Sequence, residues 1–163
     1  MTKKSTQLKD EDVKKQITFE LGVVRITNLG FSLNESIELP PMVDLSYGLK
    51  IGINISEELI DIVLGTIYRT KAGELPFLTS NASTTFILKD ITKYSSKDNP
   101  QDVTLPDPIL HTCFSVAFSH ARAIQSINTS GTKFSSLVLP LINPTELFNT
   151  LMEASGAKRV NSI

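Results

Sequence analysis

Few residues in this chain have the types and spacing that chemistry requires. The histidines, His111 and His120, are nine residues apart, so on one helix they would point about 180° apart at roughly 100° per residue. Each is therefore more typical of a surface or packing residue than of a metal ligand or catalytic base. The sequence has no glycine-rich phosphate loop, no paired cysteines or histidines at metal spacing and no nucleophile elbow. We predict no catalytic site, no metal site and no cofactor, and a protein that is not an enzyme.

The charged residues indicate neither a nucleic-acid partner nor a membrane partner. The 16 basic and 17 acidic residues give a net charge of −1, and the basic residues are scattered along the chain. The charged N-terminal stretch is not followed by the apolar core of a signal peptide, and no apolar run approaches bilayer length. The single cysteine, Cys113, has no partner for an internal disulfide and fits a reducing compartment or a plain core position. We expect a cytoplasmic protein without membrane insertion.

The length of 163 residues fits one domain with one hydrophobic core. The charge-rich residues 1–15 predict an N-terminal tail, residues 16–155 the single domain, and residues 156–163 a short C-terminal tail. The tail sequence AKRVNSI is mildly basic. Without repeats or low-complexity tracts, the chain is expected to build one continuous structural unit.

Alternation of apolar and polar residues predicts strands in the first half of the chain. Residues 44–56 have apolar side chains at every odd position, which is typical of a half-buried antiparallel strand. Residues 17–33 alternate with one interruption, which predicts a long strand that bends or bulges near Gly22. Residues 59–69 and 77–90 supply two more strands, joined in a hairpin by a turn at Gly73.

Two helices are predicted after a polar loop. The first begins at about Pro108, with Asp107 as its N-cap, and the second has Asn143 as its cap, Pro144 at the first position and Glu146 completing a capping box. One face of the first helix is apolar and narrow in its middle: Leu110, Phe114, Ala117, Ala121 and Ile124. Its alanines permit close approach, so this face is expected to lie on the sheet, to pack against a second copy, or both. The element order indicates an α+β domain, a four-stranded antiparallel sheet with two C-terminal helices on one face.

The last third of the chain resembles the SecB export chaperones. In this family a Phe-Pro-Tyr-Ala-Arg motif is followed by an isoleucine, a Gly-Thr-Phe-Pro turn, Leu-x-Leu, Pro-Val-Asn and Ala-Leu-Phe. With one inserted residue, Lys133, the matching positions are Phe118, Ala121, Arg122, Ile124, Gly131, Thr132, Phe134, Leu137, Leu139, Asn143, Leu147 and Phe148. The sequence departs from the pattern at Ser119, His120, Ala123 and Ser135. The predicted hairpin of residues 59–69 and 77–90 resembles the hairpin of the family only in its pattern of residue types.

The resemblance implies a holdase that uses no ATP and binds unfolded polypeptides or preproteins. It also implies a homotetramer, a dimer of dimers in which the sheets lie outside and the long helices are sandwiched between dimers. The apolar extended run 137–141, the helix after it and the strand 44–56 would wall a groove that takes clients without reading their sequence. Weak contacts repeated along one client would add up through multivalency.

Candidate site residues follow from this picture. For client binding they are Leu45, Tyr47, Leu49, Phe134, Phe148, Leu151 and Met152, and for the oligomer interface they are Phe114, Ala117, Ala121 and Ile124. The alternative interpretation is that these residues form the core, because alternation and helical spacing occur in every folded domain. Both interpretations stay open at this point.

Coupling to the translocase motor is doubtful from the same alignment. In the family, acidic residues on the first and fourth strands dock the motor, and here they align with Asn28, Ser32 and Ser80, which are neutral. Two other functions therefore remain: a dedicated chaperone of one partner, such as an antitoxin, and a structural or assembly subunit that shares the fold.

Overall fold

The computed structural model describes residues 18–154. Its strands are β1 (Leu21–Leu33), β2 (Asp44–Asn54), β3 (Leu59–Arg69) and β4 (Leu78–Leu88); its helices are a 3-10 helix (Ile91–Tyr94), α1 (Asp107–Thr129) and α2 (Pro144–Ala154). The predicted tails, 1–15 and 156–163, lie outside the described residues, as do residues 16, 17 and 155 of the predicted domain. The short 3-10 helix falls where the sequence predicted only a loop.

The four strands form one antiparallel sheet in the order β1-β4-β3-β2. Leu64 at the middle of β3 lies between Leu49 of β2 and Ala82 of β4. Both helices lie on the face of the sheet to which these three side chains point, because the buried residues of β3 and β4 share that face. The predicted α+β class and its arrangement of four strands and two helices are confirmed.

The two edge strands differ in regularity. β1 pairs with β4 in a register that shifts between Val23 and Arg25 and again between Asn28 and Gly30. The first bulge lies close to Gly22, where a bend or bulge was predicted, and the second was not predicted. β2 pairs with β3 without interruption over its whole length. β1 also begins later than predicted, at Leu21, although the carbonyl of Glu20 still accepts a hydrogen bond from the backbone of Lys89.

The core lies between the sheet and α1. Alternate side chains of β3, from Ile60 to Tyr68, are buried against the helices, and Phe114, Ala117 and Ala121 of α1 are buried against the sheet. Burying one large apolar side chain stabilises the fold by about 1.5–3 kcal/mol. The small alanines let the helix approach the strands closely, so the apolar face of α1 lies on the sheet of its own chain.

The two helices begin in different ways. α1 begins at Asp107 after Pro106, and no side chain caps it, so the prediction of Asp107 as the N-cap is wrong. Asp107 lies instead within the first turn, where a negative charge is favourable beside the positive end of the helix dipole. The cap of α2 is confirmed: Asn143 Oδ1 accepts from the backbone of Thr145 at 3.1 Å, and Asn143 Nδ2 donates to Glu146 Oε1 at 3.0 Å.

The segment between the helices, residues 130–143, follows α1 closely. Its carbonyl at Leu137 accepts a hydrogen bond from Gln125 Nε2 at 2.7 Å, and its carbonyl at Leu139 accepts one from Arg122 Nε at 3.0 Å. Both bonds come from α1, so the apolar run predicted as strand-like does not join the sheet. It lies beside the helix and leads into α2.

Candidate functional site

A groove of about 390 Å³ lies between the edge strand β2 and helix α2. Tyr47 comes from β2, Pro140, Ile142 and Asn143 from the connecting segment, and Glu146, Leu147 and Thr150 from α2. We call this feature the β2–α2 groove. The extended segment, the helix after it and strand β2 therefore meet around one groove, as the sequence analysis anticipated.

Packing of α2 against α1 holds the outer wall of the groove. The ring of Phe148 lies 5.3 Å from the ring of Phe114 and meets the imidazole of His111 edge to face at 5.1 Å. His111 Nε2 also lies 3.2 Å from Asn149 Oδ1. These contacts anchor one face of α2 in the protein, which leaves Leu147 and Thr150 on the side that lines the groove.

The predicted client-binding residues separate into three groups. Phe134 and Phe148 are 0% and 1% exposed, and Phe134 packs on Phe77 at 5.5 Å, so the structure favours the core interpretation for both. Tyr47 lines the groove. The remaining four are half-buried against the core and do not line the groove: Leu45, Leu49, Leu151 and Met152.

Several lining residues were not among the predicted sites. Asn143, Glu146, Leu147 and Thr150 recur at three- and four-residue intervals along the start of α2. That spacing places side chains on one helical face, so the sequence did contain a signal for this wall. The prediction selected Phe148, Leu151 and Met152 of α2 instead, and these are buried in the core or packed against it.

The hydroxyl of Tyr47 is buried and has no hydrogen-bond partner among the described residues. Burial, with a smaller contribution from nearby Tyr68, raises the pKa of Tyr47 to about 12. Tyr68 is instead paired, since its hydroxyl accepts a hydrogen bond from Gln125 Nε2 at 2.8 Å. The groove thus combines apolar side chains with the polar Asn143, Glu146 and Thr150, and the phenol group beside it is neutral.

The two histidines and the cysteine do not form a common site. His111 faces α2, whereas His120 Nδ1 lies 3.1 Å from Thr84 Oγ1 on β4. Cys113 is buried, and this burial raises the pKa of its thiol to about 12. Within residues 18–154, no three or more histidine, cysteine, aspartate or glutamate side chains form a group that could hold a metal ion.

The predicted oligomer face of α1 is largely covered by its own chain. Phe114, Ala117 and Ala121 are buried in the core of their own chain, and Ile124 is half-buried. The side of α1 that faces away from the sheet is exposed and carries small or apolar residues: Thr112, Ser119, Ala123, Ser126 and Ile127. Over its 23 residues α1 has only two charged side chains, Asp107 and Arg122.

None of the described helices is both long enough and apolar enough to span a bilayer. This observation concerns residues 18–154.

Comparison with known proteins shows a likeness of fold. No protein-family model matches the sequence, and no curated protein matches it. Among solved structures, the chain is similar to the Mycobacterium tuberculosis SecB-like chaperone Rv1957, solved in complex with a ChAD peptide from the HigA1 antitoxin Rv1956. The two are 11% identical, the match covers 76% of this chain and 90% of that chain, and the TM-score is 0.51. The domain therefore has a SecB-like fold.

A second match is a Streptococcus agalactiae protein of unknown function, 13% identical over 77% of this chain and 100% of that chain. Its TM-score of 0.23 is too low to indicate a shared fold.

Proposed function

We propose that this protein is a molecular chaperone that uses no ATP and holds non-native polypeptides in the β2–α2 groove. The observation that carries the proposal is the groove itself, in which Tyr47, Ile142 and Leu147 supply apolar surface at the open edge of the sheet. Its volume of about 390 Å³ lies within the range of pockets that bind small ligands. Unfolded chains expose apolar side chains, and contact with them is non-directional, so one groove accepts many sequences.

A dedicated chaperone is the second candidate. It is supported by the protein of similar fold, which was solved with a peptide from an antitoxin. A dedicated chaperone would bind one partner far more tightly than unrelated unfolded proteins, whereas a general holdase would bind them with similar affinity. A titration series with several unrelated unfolded proteins separates the two.

We also propose that the chain acts as a homo-oligomer, a dimer of dimers, in the cytoplasm. The exposed side of α1 lacks charge over most of its length, and Val23, Val24, Ile26 and Leu29 of β1 are about half exposed. Apolar side-chain surface of this extent favours association with a second copy. Oligomers would place several grooves along one client and strengthen binding through multivalency.

Binding to the translocase motor is proposed to be weak or absent. Asn28 and Ser32 are exposed but neutral, and Ser80 is buried on the helix side of β4. Neutral side chains provide neither long-range attraction nor charged pairs to a basic partner. Calorimetric titration with the motor at low ionic strength tests this statement, and salt-sensitive micromolar binding would contradict it.

Blocking the groove tests the chaperone proposal. Thr150 is exposed and lines the groove, so Thr150→Trp fills the space without removing a core side chain. We expect it to reduce suppression of client aggregation severalfold at unchanged thermal stability. Thr104→Trp, at an exposed loop position outside the groove, is the control and should behave as the unmodified protein. Equal activity of both variants would reject the groove as the client site.

A further inference from the structure

The outer edge of β2 is an unpaired strand of eleven residues. One side of the strand pairs with β3, and no other strand within residues 18–154 pairs with its second side. In an edge strand, the backbone N–H and C=O groups of every second residue point away from the sheet. These groups can be satisfied by water or by another extended backbone.

Strand β1 has features that usually prevent another strand from pairing with a sheet edge, whereas β2 has few of them. β1 is interrupted by two bulges, and bulges, prolines and charged side chains are the common means of protecting an edge. β2 has no bulge and no proline, and its two charged residues are Asp44 and Lys50. Asp44 is paired with Arg69 at 3.7 Å, which leaves Lys50 as the main obstacle.

A glycine at the centre of β2 is not required by the packing of the chain. A Cβ added to Gly48 would meet no atom within 4 Å. Glycine inside a strand weakens the strand and often marks a place where another backbone approaches closely. Gly48 follows Tyr47 directly in β2, and it lines a separate pocket with Val63, Gly65 and Asn81, outside the groove.

We infer that a bound polypeptide pairs with the open edge of β2 as an additional strand. The inference rests on the proposed function, because the occupant is an extended segment of a non-native chain in which apolar and polar residues alternate. Tyr47 belongs both to the edge strand and to the groove wall. A chain paired with β2 therefore directs every second side chain into the groove, while its main chain supplies hydrogen bonds that do not depend on sequence.

Amide methylation of a peptide tests this pairing. The probe is a fluorescent peptide in which leucine and threonine alternate, compared with one version N-methylated at every leucine and another at every threonine. Only one of the two sets of N–H groups can face β2. We expect one methylated peptide to bind more than about tenfold more weakly and the other to stay within about threefold of the parent. Equal effects of the two methylations would overturn strand pairing while leaving side-chain binding in the groove intact.

Hydrogen exchange measured residue by residue over β2 is the second readout. With the unmethylated peptide bound, alternate amides from Asp44 to Asn54 should become protected, and they should exchange rapidly in the free protein. Protection of these amides without peptide would show that a second copy occupies the edge and would overturn the inference. Failure of the unmethylated peptide to bind at all would reject the proposed function together with the inference.

Discussion

The side-chain amide of Gln125 on α1 donates a hydrogen bond to the hydroxyl of Tyr68 on β3 at 2.8 Å. The same Nε2 atom donates to the Leu137 carbonyl at 2.7 Å, and its Oε1 atom accepts from Thr66 Oγ1 at 3.2 Å. One fully buried glutamine thus joins the sheet, the long helix and the connecting segment that forms a groove wall.

Replacing this glutamine should destabilise the whole domain. Gln125→Leu keeps a side chain of similar size but leaves buried groups of Tyr68 and Leu137 without this partner, whereas Thr66 Oγ1 can still donate to the Ser80 carbonyl at 3.4 Å. Each buried polar group that loses its partner costs about 1–3 kcal/mol, so we expect the free energy of unfolding to fall by about 2–5 kcal/mol in urea denaturation. Ser126→Ala, at the exposed neighbouring position, should change it by less than about 0.5 kcal/mol. Equal effects of the two changes would contradict the network.

Two tyrosines should respond in opposite ways to loss of the hydroxyl. Tyr47→Phe removes a buried oxygen that has no partner among the described residues, so stability should stay the same or rise by about 1 kcal/mol. Tyr68→Phe removes the acceptor used by Gln125, so stability should fall by about 1 kcal/mol. Thermal melts of both variants give the comparison, and a loss of stability in Tyr47→Phe would show that its hydroxyl is paired.

Stability should decline at alkaline pH in a way that depends on Cys113. Burial raises the pKa of this thiol to about 12, whereas the unfolded chain has a value of about 8.5. The folded state therefore keeps its proton between these values while the unfolded state loses it. The stabilisation is complete below about pH 8.5 and is lost as the pH rises to about 12. Urea unfolding between pH 8 and 11 should show a shallower decline for Cys113→Ala, and parallel curves for the two proteins would contradict burial of the thiol.

Association should depend on strand β1 more than on β2. Ile26 on β1 and Ile53 on β2 are exposed to comparable degrees, 47% and 38%, so they form a matched pair. We expect Ile26→Glu to convert an oligomer to smaller species in light scattering at micromolar concentration, and Ile53→Glu to leave its mass unchanged. A stable monomer of the unmodified chain would remove the multivalency argument.

Local periodicity accounts for most of the fold that the sequence predicted. β3 alternates strictly between buried and half-buried residues, and the cap of α2 lies within residues 143–146, so both features are determined by residues that are close in the sequence. The surface that covers an apolar face cannot be predicted in this way. Periodicity shows that Phe114 or Phe148 is covered, but it does not show which surface covers it. Helical spacing therefore could not decide whether these rings face the sheet, a client or a second copy.

Polar contacts between segments that are distant in the sequence could not be predicted either, because local periodicity does not show which segments meet. Gln125 and Tyr68 are 57 residues apart, and nothing in the local pattern of α1 distinguishes a buried glutamine from an exposed one. The sequence predicted that the three elements around the groove meet, and of the predicted client-binding residues Tyr47 alone lines the groove. The remaining lining residues depend on how α2 is rotated about its axis, which its packing on α1 determines.

Photo-crosslinking is the most direct test of the central claim that the β2–α2 groove holds non-native polypeptide. A benzophenone amino acid is placed at Thr150, inside the groove, or at Asn81, exposed on the opposite face of the sheet, and each protein is irradiated with reduced and carboxymethylated lactalbumin. We predict strong crosslinking from position 150 and little from position 81. Crosslinking from position 81 that equals or exceeds that from position 150 would contradict the account.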